Sequence, residues 1–249
     1  MKTLAIIGGT GLNQFDDFKL IKEHEGIQTD LGSPSSNIIE GRLGNVRLLF
    51  LPRHGTSHSI APHLINYRAN LLALQQLGAD EIIAINAVGG ISKNAIAGHI
   101  SIPDQIIDYT SAREHTFFDG VYKPLDHIDF TYPYDELLRK KILQAVIKQP
   151  LIAGYTDSGV YAATQGPRLE TISEIKRLER DGCDLVGMTG MPEAALAREL
   201  NIPYVSICLV VNPAAGKSEG IIEIDQIRLV LEQGMTVIKK IIHDICYLD

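Results

Sequence analysis

The sequence predicts an α/β protein whose mainly parallel sheet is covered by helices on both faces. Short apolar runs alternate with segments of helical periodicity, the strands are apolar throughout, and several strands end in glycine-rich turns. Of the 249 residues, 45% are hydrophobic and 21% are charged, which is ordinary for a soluble globular protein. Because neither a repeat nor a Pro/Ser-rich linker divides the chain, we expect a single domain over residues 1–249.

The predicted elements alternate along the chain. In order, they are a strand at 3–8, a hairpin at 37–41 and 45–51, a helix at 65–77, strands at 81–86 and 99–108, a helix at 134–147, a strand at 158–164, a helix at 171–180, a strand at 184–188, a helix at 192–200, a strand at 203–211 and a helix at 225–245. Gly44-Asn45 suits the hairpin turn, and Gly78 follows the first helix as a stop signal. The strand at 81–86 is expected to enter a glycine-rich turn at 87–90.

Capping signals define the later helices. Thr171 and Glu174 have the spacing of a capping box and open a helix that should end at Arg180. Pro192 suits the first turn of the following helix. The last helix carries an apolar stripe at helical spacing, which predicts that it packs against the sheet.

Charge and cysteine content narrow the functional classes. The 23 basic and 30 acidic residues give a net charge of −7, and no basic run indicates a nucleic-acid partner. An anion site must therefore be local, built from a few Arg, His or backbone N–H groups. The three cysteines show no CxxC spacing; Cys183 and Cys208 are predicted to be buried free thiols, which suits a reducing cytoplasm. Since no stretch has the ~20 apolar residues of a membrane helix, we expect a cytoplasmic protein without a membrane partner.

Two other motif interpretations are disfavoured. Gly9-Thr10-Gly11 follows a strand, but the third glycine of a dinucleotide-binding fingerprint would fall at Gln14. His54, His58 and His63 lie in one loop without an acidic residue at ligand spacing. We therefore predict no metal site.

Four polar or glycine-rich turns follow predicted strands, at the edge where open α/β sheets bind ligands. The turns are Gly8–Gly11, Leu51–Gly55, Asn86–Gly90 and Gly187–Gly190. They supply an arginine, a histidine, two threonine hydroxyls and backbone N–H groups, which together suit phosphate. Each turn alone is also typical of an ordinary strand-to-helix connection, but four of them favour an anion site.

Six motifs, in order along nearly the whole chain, carry a family resemblance. They are Ile-Ile-Gly-Gly-Thr-Gly (6–11), Pro-Arg-His-Gly (52–55), Asn-Tyr-Arg-Ala-Asn (66–70), Asn-Ala-Val-Gly-Gly (86–90), Gly-Pro-Arg-Leu-Glu-Thr (166–171) and Gly-Met-Thr-Gly-Met-Pro-Glu (187–193). Together they resemble the trimeric purine nucleoside phosphorylase and methylthioadenosine phosphorylase family. Asn212–Gly216 and Met191–Glu199 extend the resemblance to its bacterial S-methyl-5′-thioinosine phosphorylase branch.

The resemblance implies a three-layer nucleoside phosphorylase fold, with a mixed, mainly parallel twisted sheet flanked by helices. It also implies a pentosyltransferase that cleaves the N-glycosidic bond of a purine nucleoside with inorganic phosphate. Phosphate is then a co-substrate, and neither a metal nor an organic cofactor is expected. The family further implies a homotrimer, or a dimer of trimers.

The resemblance also implies roles for individual residues. The residues expected to hold phosphate are Thr10, Arg53, His54, Asn86, Ala87 and Thr189. Met188 should pack against the sugar, and Leu169 against the base. His58 and His127 resemble positions near the 5′ side, with His127 supplied by a neighbouring subunit; the alternative for His127 is a solvated loop.

Two positions predict a 6-oxopurine base. An ionised Glu170 only accepts hydrogen bonds, so it suits the N1–H of hypoxanthine or guanine and disfavours adenine. Asn212 can donate to O6 and accept from a protonated N7, which stabilises the leaving base. Ala214 stands where the adenine-specific branch has a second Asp. The alternative is that Glu170 is only an acid of the helix's first turn, complementing the macrodipole.

The 5′ group is predicted to be apolar. Ile224 falls near the position where inosine phosphorylases have a His, although a core role for Ile224 is an alternative. We therefore expect phosphorolysis of S-methyl-5′-thioinosine to hypoxanthine and 5-methylthioribose 1-phosphate, with Asn212, Glu170 and His54 as catalytic residues. The alternatives are a methylthioadenosine phosphorylase, a general phosphorylase of inosine and guanosine, and a nucleoside-binding protein without turnover.

Overall fold

The computed structural model describes residues 1–9, 17–151 and 153–247. Within these ranges eleven strands form one sheet. The strands are β1 (Thr3–Gly8), β2 (Lys19–His24), β3 (Ile38–Leu43), β4 (Val46–Pro52), β5 (Glu81–Gly90), β6 (Ile100–Ser101), β7 (Gln105–Asp108), β8 (Tyr155–Thr156), β9 (Val160–Ala163), β10 (Leu185–Gly187) and β11 (Tyr204–Pro213). The helices are α1 (Tyr67–Gln76), α2 (Glu136–Val146), α3 (Ile172–Arg180), α4 (Gly190–Glu199) and α5 (Ile224–Tyr247), and a 3₁₀ turn spans Pro62–Leu64.

The central strand, β5, changes its neighbour part of the way along. On one edge it pairs in parallel with β11, from Ile82 to Gly90. On the other edge it pairs in parallel with β1 as far as Ala84, and then antiparallel with β10 from Gly89. Residues 85–88 therefore lie between the two registers on that edge, and this position determines where a ligand can approach the sheet.

Side chains of the central strands alternate between two apolar cores, one on each face of the sheet. In β4, Leu49 and Leu51 enter the core that α1 and α4 cover, whereas Leu48 and Phe50 enter the core under α2 and α5. This double burial explains why the strands are apolar throughout. Among the described strands, six pairs are parallel and four are antiparallel. The predicted three-layer, mixed and mainly parallel architecture is confirmed.

The local signals that predicted the later helices are also present. Thr171 Oγ1 accepts a hydrogen bond from the Glu174 backbone N–H at 3.1 Å, and the Glu174 carboxylate accepts one from the Thr171 N–H at 2.7 Å. The predicted capping box is thus confirmed, and Pro192 lies in the first turn of α4. The predicted hairpin is β3–β4, with Gly44-Asn45 between the strands.

Two predicted boundaries are wrong. The turn predicted at 87–90 is the second half of β5, because here glycine permits close packing as well as a turn: a Cβ on Gly90 would lie 1.7 Å from the Ala95 carbonyl oxygen. The single strand predicted at 99–108 is divided into β6 and β7 around Pro103, which has no N–H for a sheet ladder.

Two strands were not predicted. β2 lies at the edge of the sheet with nearly all of its residues exposed, so it has no buried face to produce an apolar pattern. β8 has only two residues, which is too short for any periodicity.

Cys183 and Cys208 are buried free thiols, as predicted, and so is Cys246. In the described parts of the chain, no helix is both long and apolar enough to cross a membrane. The same residues contain no group of three or more His, Cys, Asp or Glu side chains that could hold a metal ion.

Candidate functional site

A cavity of about 560 Å³ opens beside residues 85–88 of β5. Its walls come from the carboxyl ends of β1, β4, β10 and β11, from the loops at 58–62 and 167–170, and from one face of α5. The volume lies within the range of small-molecule sites, roughly 300–1,000 Å³. The position follows from the topology, since the ends of several strands converge where β5 changes its neighbour.

Most of the predicted site residues line this cavity. Those that do are Arg53, His54, His58, Asn86, Ala87, Leu169, Glu170, Met188, Thr189, Asn212 and Ala214. His127 lies in an exposed loop and does not line it. Thr10 is outside the described residues.

Ile224 does not line the cavity either. It is the first residue of α5 and is 53% exposed. The apolar side chains that α5 directs to the cavity are Ile227, Leu231 and Met235, which repeat every four residues, and Ile222 precedes the helix on the same wall. Their four-residue spacing in the sequence places them on one face of a helix, and this signal could have predicted that they line the cavity together.

The cation expected to hold phosphate, Arg53, is buried in an ion pair with Glu193. Its Nε and Nη2 donate to the two carboxylate oxygens at 2.7 Å each, and Nη1 donates to the Ile85 carbonyl at 3.1 Å. Arg53 is 2% exposed and Glu193 0%, and the Tyr204 hydroxyl donates a further hydrogen bond to Glu193. Within the described parts of the chain these contacts use three of the five guanidinium N–H donors, and two have no partner there.

Glu193 keeps Arg53 charged. Burial alone would lower the pKa of the guanidinium, but the charge and hydrogen bonds of Glu193 outweigh it and raise that pKa. The pair as a whole is nearly neutral. Glu193 lies in the 187–193 motif, but its pairing with Arg53 could not be predicted, because it depends on how the first turn of α4 faces the end of β4.

Asn86 and Thr189 form a second part of the predicted phosphate side. Asn86, 2% exposed, donates from Nδ2 to Ser206 Oγ at 2.6 Å, and its Oδ1 accepts from Thr189 Oγ1 at 3.0 Å. Thr189 directly precedes α4, whose backbone is not helical at Met191 (φ −118°, ψ 141°), so the continuous helix begins after Met191. The Ser206 hydroxyl lies 3.3 Å from Cys208 Sγ.

His54 is held with its Nδ1 2.9 Å from the Ile60 carbonyl oxygen, and its ring centroid is 4.4 Å from that of His58. Burial, together with the charges of Arg53 and His58, lowers the pKa of His54 to about 4, although the hydrogen bond to the Ile60 carbonyl acts in the opposite direction. The ring is therefore neutral near pH 7. Because a carbonyl only accepts, Nδ1 carries the proton and Nε2 is an acceptor. His54 was expected to donate to phosphate in either protonation state, but its neutral form has its N–H engaged by Ile60.

Glu170 and Asn212 line the same cavity. Glu170 Oε1 accepts a hydrogen bond from the Thr164 hydroxyl at 2.7 Å. It lies before the N-cap Thr171, and the acid of the first turn of α3 is Glu174, so the macrodipole alternative for Glu170 is not supported. Asn212 follows a β-bulge in β11, and its Nδ2 donates to the Pro213 carbonyl at 2.7 Å.

Sequence reasoning missed Arg113, which joins two walls of the cavity. Its Nη1 donates to the carbonyl of Met188 at 2.8 Å, and its Nη2 donates to the carbonyl of Gln165 at 2.9 Å. The side chain therefore ties the 164–170 segment to the turn after β10. None of the motifs includes Arg113, and its role depends on two segments that are distant in sequence.

Comparisons with known proteins agree on one family. The model of the phosphorylase superfamily matches residues 3–246. A probable S-methyl-5′-thioinosine phosphorylase of Pseudomonas syringae pv. tomato is 51% identical over 239 residues, 96% of each chain. The 6-oxopurine nucleoside phosphorylase of Pyrococcus furiosus is 43% identical over 88% of this chain and 82% of its own. The methylthioadenosine phosphorylase of Schistosoma mansoni, solved with adenine, superposes with a TM-score of 0.91 at 30% identity, covering 99% of this chain and 91% of its own.

Removing the partner of Arg53 should cost stability. We expect Glu193→Gln to lower the free energy of unfolding by about 3 kcal/mol, because it leaves a buried charge uncompensated. The control is Arg228→Gln, which breaks an exposed pair with Asp225 and should cost less than about 1 kcal/mol. Urea denaturation of both variants measures the difference, and equal losses would contradict the assignment.

His54 should make the protein sensitive to acid. Between its ordinary pKa of 6.5 and the folded value of about 4, the unfolded chain binds a proton that the folded chain does not. The free energy of unfolding should therefore fall as the pH decreases through this window. In phosphate-free urea denaturation, His54→Asn should flatten this decrease, whereas His115→Asn, in an exposed loop, should not. An unchanged slope in His54→Asn would exclude His54 as the source.

Proposed function

The chain belongs to the phosphorylase superfamily, and on that premise we propose that it is an S-methyl-5′-thioinosine phosphorylase. A phosphate oxygen forms a bond to C1′ of the ribose as the bond from C1′ to N9 breaks. The electron pair leaves with the base, which gains at N7 a proton given up by the protonated phosphate, and the products are hypoxanthine and 5-methylthioribose 1-phosphate. The observation that carries the proposal is one cavity that combines anion-binding turns, Glu170 with Asn212, and an apolar wall.

The phosphate side is supported by the groups that converge beside β5. Among the contacts of the described residues, Arg53 keeps two N–H donors beyond those to Glu193 and Ile85. Thr189, Asn86, Ala87 and His54 line the same cavity as Arg53. In this proposal neutral His54 accepts a hydrogen bond at Nε2 from a protonated phosphate oxygen. Thr10 stays a predicted phosphate ligand.

The base side is supported by Glu170 and Asn212. An ionised Glu170 accepts from the N1–H of hypoxanthine and would repel the N1 lone pair of adenine. The Asn212 amide can turn from Pro213 to donate to O6 and accept from a protonated N7, which stabilises the departing purine. Ala214 lines the cavity without a carboxylate that could accept from a 6-amino group. Such pairing discriminates strongly, since a mispaired base leaves buried polar groups unsatisfied.

The 5′ side is supported by an apolar wall. Val211, Ile222, Ile227, Leu231 and Met235 line one side of the cavity. Burial of a methylthio group there gains about 25 cal/mol per Å², whereas a 5′-hydroxyl would lose its water without a hydrogen-bond partner from these side chains. This wall takes the role that was predicted for Ile224.

A general 6-oxopurine nucleoside phosphorylase is the second candidate. The Pyrococcus furiosus relative supports it, and so do Glu170 and Asn212, which are indifferent to the 5′ group. A methylthioadenosine phosphorylase has the support of the structural similarity alone. The apolar wall favours the methylthio substrate over inosine.

The co-substrate, the cell compartment and the oligomeric state are also part of the proposed function. We propose that it uses phosphate as co-substrate with no metal or organic cofactor, and that it works in the cytoplasm, which three buried free thiols support. The family resemblance supports a homotrimer, or a dimer of trimers, in which a neighbouring subunit supplies His127 near the 5′ side. His58 lines the cavity of its own chain.

Substrate preference tests the proposed function. The protein should be incubated with methylthioinosine, methylthioadenosine, inosine and guanosine, each with and without phosphate, and the released base measured. We expect phosphate-dependent cleavage with methylthioinosine preferred. Preference for methylthioadenosine would contradict the role of Glu170 and Asn212, and preference for inosine that of the apolar wall. Phosphate-independent cleavage indicates a nucleosidase, and binding without turnover a nucleoside-binding protein.

A polar substitution in the wall tests the 5′ assignment. Leu231→Asn should lower kcat/KM for methylthioinosine by about tenfold. The substitution removes apolar surface that would contact the methylthio group, and burial of a surface of that size contributes about 1.5 kcal/mol. The control is Leu229→Asn on the same helix, at a position that is 49% exposed and should leave kcat/KM unchanged. An equal loss in both variants, or a larger loss for inosine than for methylthioinosine, would overturn the assignment.

A further inference from the structure

Asn86 is a polar side chain in an apolar part of the sheet. It lies on the face that α1 and α4 cover, where Ala84 and Val88 of its own strand belong to the core together with Cys208 and Val210 of β11. A buried amide in such surroundings is costly unless both of its ends are hydrogen-bonded. Its partners therefore determine the orientation that it holds.

Ser206 supplies one of these partners from behind the cavity. It is fully buried in β11, two residues from Cys208, which pairs in register with Asn86. Its Oγ accepts from Asn86 Nδ2 at 2.6 Å, and it does not line the cavity. The terminal torsion of an asparagine side chain is broad, so a fixed partner is needed to hold its amide plane.

The other partner is the Thr189 hydroxyl, which does line the cavity. In the described structure the Thr189 side chain makes no capping hydrogen bond to α4, whose backbone is not helical at Met191. Its hydroxyl is oriented instead by Asn86 Oδ1, to which it donates at 3.0 Å. A hydroxyl has only one hydrogen, and Asn86 Oδ1 accepts it here, so the Thr189 oxygen meets a ligand with its lone pairs, as an acceptor.

We propose that Ser206 is a positioning residue for the co-substrate: it fixes the Asn86 amide, which in turn holds the Thr189 hydroxyl so that its oxygen accepts a hydrogen bond from a protonated oxygen of bound phosphate. The inference rests on the proposed function and deepens its phosphate side. It assigns a role to a residue that touches neither substrate. Loss of the Ser206 hydroxyl should therefore affect phosphate and leave the nucleoside side, at Glu170 and Asn212, unaffected.

The test compares two buried serines. Ser206→Ala should raise KM for phosphate by about five- to tenfold, the scale of one hydrogen bond, with kcat and KM for the nucleoside nearly unchanged. Ser101→Ala is the matched control, because Ser101 is also buried and its Oγ accepts from Thr156 Oγ1 at 3.0 Å away from the cavity. It should lose similar stability with no change in KM for phosphate. Equal KM values in both variants would overturn the proposal.

A double-mutant cycle separates positioning from general damage. If Ser206 acts through Asn86 on Thr189, a chain of contacts that we call the relay, Ser206→Ala should have no further effect on KM for phosphate in a Thr189→Val background. Additive effects would contradict the relay, because they would mean that Ser206 acts by another route.

A readout without turnover keeps this inference distinct from the proposed function. The increase in Tm with inorganic phosphate is measured for wild type, Ser206→Ala and Ser101→Ala. A smaller increase in Ser206→Ala alone supports the relay even if the wild type cleaves no nucleoside, in which case only the proposed function fails. The opposite result is also possible: the wild type cleaves nucleosides with phosphate, but phosphate increases the Tm of the wild type and of Ser206→Ala equally. That result would overturn the relay and leave the proposed function standing.

Discussion

The change of neighbour in β5 is the constraint from which the site follows. A strand with one parallel partner along a whole edge would be buried on both sides and closed to ligands. Here β1 pairs only as far as Ala84 and β10 begins at Gly89, so the backbone of residues 85–88 lies at the wall of a cavity. At the end of this stretch Gly90 packs against the Ala95 carbonyl oxygen, where any side chain would collide. The ends of β4, β10 and β11 then meet at the same place.

The site also explains how an acidic chain, with a net charge of −7, can be built to receive an anion. Arg53 is not a free surface cation: Glu193 balances its charge and fixes its plane, and two donors remain. Removing these two charges from water is unfavourable, and the two short hydrogen bonds between them compensate for it. The same bidentate contact holds the guanidinium in one orientation. In the proposed reaction, affinity for phosphate then depends on oriented donors, and the protein's net charge has little part in it.

Much of the architecture could be predicted from the sequence, because it depends on local patterns. Apolar runs, the Thr171 capping box and Pro192 each signal an element without any tertiary context. What could not be predicted depends on contacts between distant segments: Glu193 with Arg53, Ser206 with Asn86, and Arg113 across two turns. Glycine was ambiguous for the same reason, since at Gly90 it permits close packing rather than a turn. Ile224 was expected in the 5′ wall, but the face of α5 that lines the cavity lies further along the helix.

The central claim is that one cavity holds phosphate beside β5 and a 6-oxopurine between Glu170 and Asn212. The most direct measurement is a crystal structure of the protein with phosphate and hypoxanthine bound together. We expect phosphate oxygens within hydrogen-bond distance of Arg53 and Thr189, and the N1–H of hypoxanthine directed at the Glu170 carboxylate. Phosphate bound elsewhere, or hypoxanthine placed against the α5 wall with Glu170 unengaged, would contradict it.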